Sequence, residues 1–176
     1  MKKAKPEPLA VETVPTDSIS QDPANARAHP ERNLETIKAS LRRFGQQKPI
    51  VVDGDGIVRA GNGTLMAARA LGWDSIAIVR TPLTGSEATA YAIADNRTAE
   101  LAEWDGTALA EQLRSLQSED FDLGAVGYTD DEVAALIDGL AGGLVPDFGP
   151  ASLDDQGKLD EKAKVECPDC GCRFTP

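Results

Sequence analysis

Residues 57–72 carry the spacing most suggestive of ligand chemistry: the run Ile57-Val58-Arg59-Ala60, then Gly61-Asn62-Gly63-Thr64, then Leu65 through Leu71 to Gly72. A strand that turns through two glycines into a short helix gathers backbone N–H groups at the positive end of the helix dipole, where phosphate oxygens can be cradled. Gly61 and Gly63 would permit backbone angles and a close approach that a Cβ forbids, although any tight strand-to-helix connection also favours glycine. Gly72 is placed to end the helix as its C′ residue.

Three other groups of residues could do chemistry. Asp95-Asn96-Arg97 offers a carboxylate, an amide and a guanidinium on one predicted helix; its plain reading is a polar patch between Ala94 and Leu101. The single histidine, His29, precedes Pro30 at a helix start, where it could cap or face solvent. Cys167-Pro168-Asp169-Cys170-Gly171-Cys172 has the shape of a zinc knuckle, in which the Cys-x-x-Cys spacing lets both thiolates face one ion. Three cysteines are one ligand short of tetrahedral zinc. Asp169, water or a cysteine of a second chain could complete the set, and the alternative is a tail with reactive thiols.

The elements that must position these groups follow from pattern. Residues 1–10 form a Lys/Pro-rich lead, and Val11 to Ile19 reads as a first strand. Pro30 suits the first turn of a helix whose Leu34, Ile37, Leu41 and Phe44 fall on one stripe, and Gly45 ends it. Pro49 to Val52 and Ile57 to Arg59 are strands around the hairpin signal Asp53-Gly54-Asp55-Gly56, and Ile76 to Val79 is another strand. Three helices then follow, roughly 86–102, 106–118 and 130–139. Thr84-Gly85-Ser86-Glu87 and Thr129-Asp130-Asp131-Glu132 read as capping boxes, the second ahead of Val133, Leu136, Ile137 and Leu140. Asp105 is a predicted N-cap, with Trp104 packed beneath it.

Composition narrows the function classes. The chain has 176 residues and 41% hydrophobic content, enough for one domain with extensions. It shows no 18-residue apolar run, and the basic start, Met1 to Pro6, is not followed by an apolar segment of the signal-peptide kind, so a cytoplasmic protein with no membrane role is expected. Cysteines confined to six C-terminal residues cannot staple the fold, which fits a reducing compartment. Residues 1–80 carry 12 Lys+Arg and 9 Asp+Glu, while residues 81–176 carry 6 and 20. DNA would therefore have to be met by the N-terminal part or through another protein, because an acidic half repels phosphates. No helix-turn-helix is evident after residue 105, and the few aromatics provide no platform for single strands.

Taken in order, several segments resemble the ParB/sulfiredoxin superfamily, with the closest likeness to the ParB-like N-terminal domains of the phage, plasmid and methyltransferase-associated branch. Asn25-Ala26-Arg27-Ala28-His29 looks like the family's first box, and Gly45-Gln46-Gln47-Lys48-Pro49-Ile50-Val51-Val52 like its Gly-x-x-x-Pro-Ile-x-Val strand entry. The Gly61 turn resembles the second box and Asp95-Asn96-Arg97 the third. The chain departs from the pattern at Asn62 and Thr64, where relatives often carry His or Glu and then Arg. Sulfiredoxin chemistry needs a nucleophilic cysteine beside its His-Arg pair, and there is none before Cys167, so that activity is rejected.

The resemblance implies an α/β (α+β) domain with a small mixed sheet and packed helices. Its expected organisation is a lead (1–10), a core (11–82), a helical extension with the third box (83–140), a linker (141–164) and a cysteine tail (165–176). It further implies nucleotide contacts from Arg27, Gly61, Asn62, Gly63, Thr64, Asp95, Asn96 and Arg97, with His29 a weaker candidate, and Mg²⁺ carried with CTP or ATP. The expected zinc ligands are Cys167, Cys170 and Cys172. The function so implied is a nucleotide-responsive, DNA-associated module of phage or mobile-element origin, with a homodimer among the open assemblies. Its alternatives are a Mg-dependent nuclease, NTPase or kinase, and an adaptor for a DNA-modifying or packaging partner.

Overall fold

The computed structural model describes residues 8–142, 165–166 and 173–174. The chain divides into two compact units, residues 1–140 and 141–176.

The first unit is built on a five-stranded mixed sheet. Its strands are β1 (Val11–Pro15), β2 (Ser20–Gln21), β3 (Ile50–Val52), β4 (Ile57–Ala60) and β5 (Ser75–Arg80), in the order β1-β5-β3-β4-β2. β1 pairs antiparallel with β5 and β3 antiparallel with β4, while β3/β5 and β4/β2 are parallel. Five helices accompany it: α1 (Glu31–Phe44), α2 (Asn62–Ala70), α3 (Gly85–Glu100), α4 (Gly106–Ser118) and α5 (Asp130–Gly142). The α/β reading with a small mixed sheet therefore holds.

Several local devices act as the sequence predicts. Gly45 (φ +69°) and Gly72 (φ +74°) end α1 and α2, their N–H groups donating back to Leu41 and Arg69 at 2.9 and 3.0 Å. Asp53-Gly54-Asp55-Gly56 turns β3 into β4, with Asp53 N–H donating to the Ile57 carbonyl at 3.0 Å. Asp105 caps α4 by accepting from Ala108 N–H at 3.0 Å, and Thr129 and Glu132 exchange the reciprocal bonds of a capping box at 3.2 and 3.0 Å.

Three expectations need correction. The strand expected from Val11 to Ile19 ends at Pro15, and a further strand, Ser20–Gln21, begins beyond that span on the opposite edge of the sheet. Pro15 has no N–H to extend the ladder, Thr16 bonds instead to the Trp73 carbonyl at 2.8 Å, and a 3-10 turn (Thr16–Ser18) carries the chain across to β2. Arg69 of α2 fastens this crossing, its Nη2 donating to the Thr16 and Ile19 carbonyls at 2.7 Å each. Thr84 makes no capping bond, since Gly85 opens α3 in a left-handed conformation (φ +55°). Trp104 is 76% exposed rather than packed under the Asp105 cap, standing beside a surface depression that it lines with Val126, Tyr128 and Leu136.

Two apolar clusters hold the unit. The larger joins Ile50, Val52, Val58, Ile76 and Ile78 of the sheet to Leu41 of α1 and to Leu65, Ala67 and Ala68 of α2. The smaller joins Leu113, Leu123 and Val133, with Leu136 and Ile137 against them. α1 links them: Phe44 stacks on Phe121 at 6.1 Å, Arg43 lies 4.7 Å over the same ring, and Arg32 pairs with Glu132. α3 is different, since Ala88 is its one buried residue. No helix among the described residues is long and apolar enough to cross a membrane.

In the second unit, Val165–Glu166 pairs antiparallel with Arg173–Phe174. Cys167, Cys170 and Cys172 lie outside the described residues, as does the expected linker, except that α5 runs on to Gly142.

Candidate functional site

β4 ends at Ala60, the chain turns at Gly61, and α2 begins at Asn62. The first helical i→i−4 bond is the one Leu65 N–H makes to the Gly61 carbonyl at 3.0 Å, so the N–H groups of Asn62, Gly63 and Thr64 precede it as the helix's orphan donors. They border a cavity of about 240 Å³ whose other walls are the loop before α1, the entry to β3 and the middle of α3. Of the expected residues, Arg27, His29, Gly61, Asn62, Gly63, Thr64, Asp95 and Asn96 line this one cavity, although residues 27 and 96 are far apart in sequence.

Arg97 is not among them. It lines an adjoining depression and reaches Glu100 at 3.2 Å. At about 100° per residue, Asp95 and Asn96 flank one side of α3, while Arg97 is about 200° round from Asp95 and falls to the other side of Asn96, toward the adjoining depression.

The glycines have a structural role that the sequence reading assigned to ligand approach. Gly61 sits at φ +96°, and a Cβ there would lie 2.4 Å from Ile50 Cγ2. A Cβ on Gly63 would lie 2.7 Å from His29 Cε1 and 2.9 Å from Ile37 Cδ1. The turn is thus pressed against β3 on one side and against α1 and its preceding loop on the other. Asn62 is likewise committed to the protein: its Oδ1 accepts from Asp22 N–H at 3.0 Å and its Nδ2 donates to the Val58 carbonyl at 3.2 Å. It tethers the loop of the first box to the turn of the second.

The charges of the site are largely paired. Arg27 Nη1 is 3.2 Å from both Asn96 Oδ1 and Glu100 Oε1, and Asn96 is itself anchored by donating to the Ala92 carbonyl. His29 Nδ1 lies 2.8 Å from Asn33 Oδ1. The lining residues missed by the sequence reading include Lys48, Arg59 and Tyr91. Arg59 lies two residues before Gly61 on a strand that alternates faces, and this was the available signal. It bridges Asp53 and Asp22 at 2.7 Å each. Burial pushes the Asp53 carboxyl up, but bonds from Ile57 N–H, Arg59 and Asp55 N–H outweigh it and hold the group below the usual carboxylate range. The Asp53 carboxylate, and after it Asp22, push the Arg59 guanidinium up against its own burial. Burial, and then the Asp95 carboxylate one turn along α3, raise the Tyr91 phenol.

Metal ligation is limited. Among the described residues no group of three or more His, Cys, Asp or Glu side chains could hold an ion. Asp22 and Asp53 belong to Arg59, which leaves Asp95 as the carboxylate in the cavity with no protein partner. One such oxygen fits a Mg²⁺ ion that arrives already chelated by phosphates and water, not a cage built by the protein.

A family model described as the ParB-methyltransferase HTH domain matches residues 107–170, a stretch in which the sequence alone made no helix-turn-helix evident. In structural comparison, a C-terminally truncated chromosome-partitioning protein ParB from Caulobacter crescentus, complexed with CTP-gamma-S, aligns with a TM-score of 0.66. The two are 21% identical over 78% of this chain and 81% of that one, and they share the fold. The Escherichia coli (strain K12) ParB-like nuclease domain-containing protein YnaK is 32% identical over 73 residues, 42% of this chain and 84% of YnaK. With that share of a relative covered at that identity, and with the fold in agreement, the chain belongs to the ParB-like domain family.

Proposed function

We propose that the chain is a nucleotide-responsive, DNA-associated ParB-like module that binds a Mg²⁺-chelated nucleoside triphosphate in the cavity at the Gly61 turn. The observation that carries this reading is the convergence of Arg27, the Gly61–Thr64 turn and Asp95-Asn96 on one cavity beside free helix N–H donors. The CTP analogue bound by the Caulobacter crescentus ParB of the same fold favours CTP as the first nucleotide to test.

The charge inventory supports a metal-chelated ligand. Arg27, Lys48 and Arg59 face Asp22, Asp53, Asp95 and Glu100 in and around the cavity. A bare triphosphate would meet more carboxylates than cations, whereas a chelated one arrives with part of its charge neutralised. Asp95 would supply the protein oxygen toward that ion, and the N–H groups of Asn62, Gly63 and Thr64 would hold phosphate oxygens.

The DNA association rests on family membership and on the helix-turn-helix match, and the match to the ParB-methyltransferase model favours the methyltransferase-associated, mobile-element branch and a cytoplasmic setting. α5 carries Asp130, Asp131, Glu132 and Asp138 and no Lys or Arg, so direct DNA contact by this chain is expected to be weak and steeply salt-sensitive. Partner-mediated contact is then the main route. Calorimetry of the purified chain against CTP, ATP, ADP and GTP with Mg²⁺ tests the nucleotide reading, and a turnover assay on any nucleotide that binds separates a switch from an NTPase. Absence of binding to all four, with a folded protein, leaves the adaptor as the function.

A further inference from the structure

We infer that Lys48 is the cation that anchors the ligand's phosphates in this cavity, a role that rests on the nucleotide reading and gives the Gly61 turn the charge it lacks. The turn itself, Gly61-Asn62-Gly63-Thr64, contributes no charged side chain. Three strong bases line the cavity, and two are already engaged. Arg59 sits between two buried carboxylates at 2.7 Å, and Arg27 is held by Glu100 and Asn96 at 3.2 Å. Drawing either toward a phosphate means breaking an existing ion pair, and for Arg59 it would leave Asp22 and Asp53 buried without their counter-charge. Lys48 makes no ion pair among the described residues, so its ammonium can turn to an anion at no such cost.

Its backbone, by contrast, is well fixed. The Gln46 side chain acts as an extra strand partner, accepting from Ala77 N–H at 2.8 Å and donating to the Ala77 carbonyl at 2.8 Å, and it also donates to the Lys48 carbonyl at 3.1 Å. Pro49 then fixes the next φ and restricts Lys48 to extended conformations. The flexible stem therefore starts from a rigid base. Lys48 and Thr64 line this cavity together, and both also line the depression beside α1, which places Lys48 at the rim next to the turn. A compact ammonium on a flexible stem suits a phosphate tail bound as a point charge.

The test is calorimetry with CTP and Mg²⁺ on the full chain and on Lys48→Met, Lys48→Arg and the double variant Lys48→Met with Thr64→Arg. Lys48→Met keeps the apolar stem and removes the charge, so the fold should persist, checked by circular dichroism. Loss of a charge-assisted contact predicts affinity weaker by roughly ten- to a hundredfold for Lys48→Met, with near-wild-type affinity for Lys48→Arg. Thr64→Arg should recover much of the loss by restoring a cation at the same rim. The salt dependence of CTP affinity should also flatten in Lys48→Met, which a purely structural role would not produce. A wild type that binds CTP and a Lys48→Met variant within about twofold of it would overturn the Lys48 assignment and leave the cavity reading standing. A folded wild type that binds no nucleotide overturns the nucleotide reading and the Lys48 assignment together.

Discussion

Gly61→Ala is the sharpest test of how the turn is built. Gly61 stands at φ +96°, and its missing Cβ would lie 2.4 Å from Ile50 Cγ2 and 2.9 Å from Ile50 Cβ. Ile50 is 3% exposed at the start of β3, and both atoms lie at or next to its branch point, so no rotation of a flexible tip relieves the clash. Holding a non-glycine residue in this region costs about 1–2 kcal/mol. Overpacking against a buried branched side chain adds about 1–3 kcal/mol, for a combined destabilisation of about 2–5 kcal/mol. Gly72→Ala serves as the internal control, because Gly72 has φ +74° with nothing within 4 Å of its would-be Cβ, and only the conformational cost of about 1–2 kcal/mol applies there. Urea unfolding followed by circular dichroism gives both values. Equal losses at the two glycines, or a loss under about 1 kcal/mol at Gly61, would refute the packing argument.

Three further outcomes can be checked. Glu100→Gln removes the carboxylate that holds Arg27 at 3.2 Å; because the pair is exposed, stability should change by less than about 1 kcal/mol, while Mg-CTP binding tightens as Arg27 becomes available, and weaker binding would contradict it. The Asp53 carboxyl has a folded-state pKa below its unfolded value of about 4, so its stabilisation is fully present above that value and is lost as pH falls through the folded pKa. Asp53→Asn should accordingly cost about 3 kcal/mol at pH 7, near the lower end for a broken buried pair because Asp22 remains on Arg59, and acid titration of the variant should show a shallower loss below pH ~4. If Cys167, Cys170 and Cys172 bind zinc, the purified chain should carry about one ion, or about half when two chains share it, by elemental analysis, and metal-free protein with three titratable thiols would exclude the site.

Much of this arrangement was legible in the sequence where the signal is local. Gly45, Gly72, Asp105 and the Thr129–Glu132 box each act within one turn of the chain, and the distant segments that hold Arg27, Gly61 and Asp95-Asn96 line one cavity. What escaped depends on contacts between elements. Lys48 and Arg59 enter the cavity from the entry to β3 and from β4; the hairpin signal at Asp53–Gly56 paired those strands, but which of their residues meet α3 and the loop before α1 depends on packing between elements. The glycine-rich turn suggested room for a ligand, whereas the space beside Gly61 and Gly63 is filled by Ile50, His29 and Ile37. Trp104 read as core because large aromatics usually are buried, but it borders a surface depression beside Val126, Tyr128 and Leu136 and stays exposed. The first strand stops at Pro15, a residue visible in the sequence that has no N–H to give to the ladder.

The most direct test of the nucleotide site is a titration of the ¹⁵N-labelled chain with CTP and Mg²⁺, followed by amide resonances. The account predicts saturable shifts largest at Asn62, Gly63 and Thr64, whose N–H groups precede the first helical bond of α2, with smaller shifts at Arg27, Lys48 and Asp95. Saturable shifts centred away from this turn, or a folded spectrum unchanged at saturating nucleotide, would contradict it.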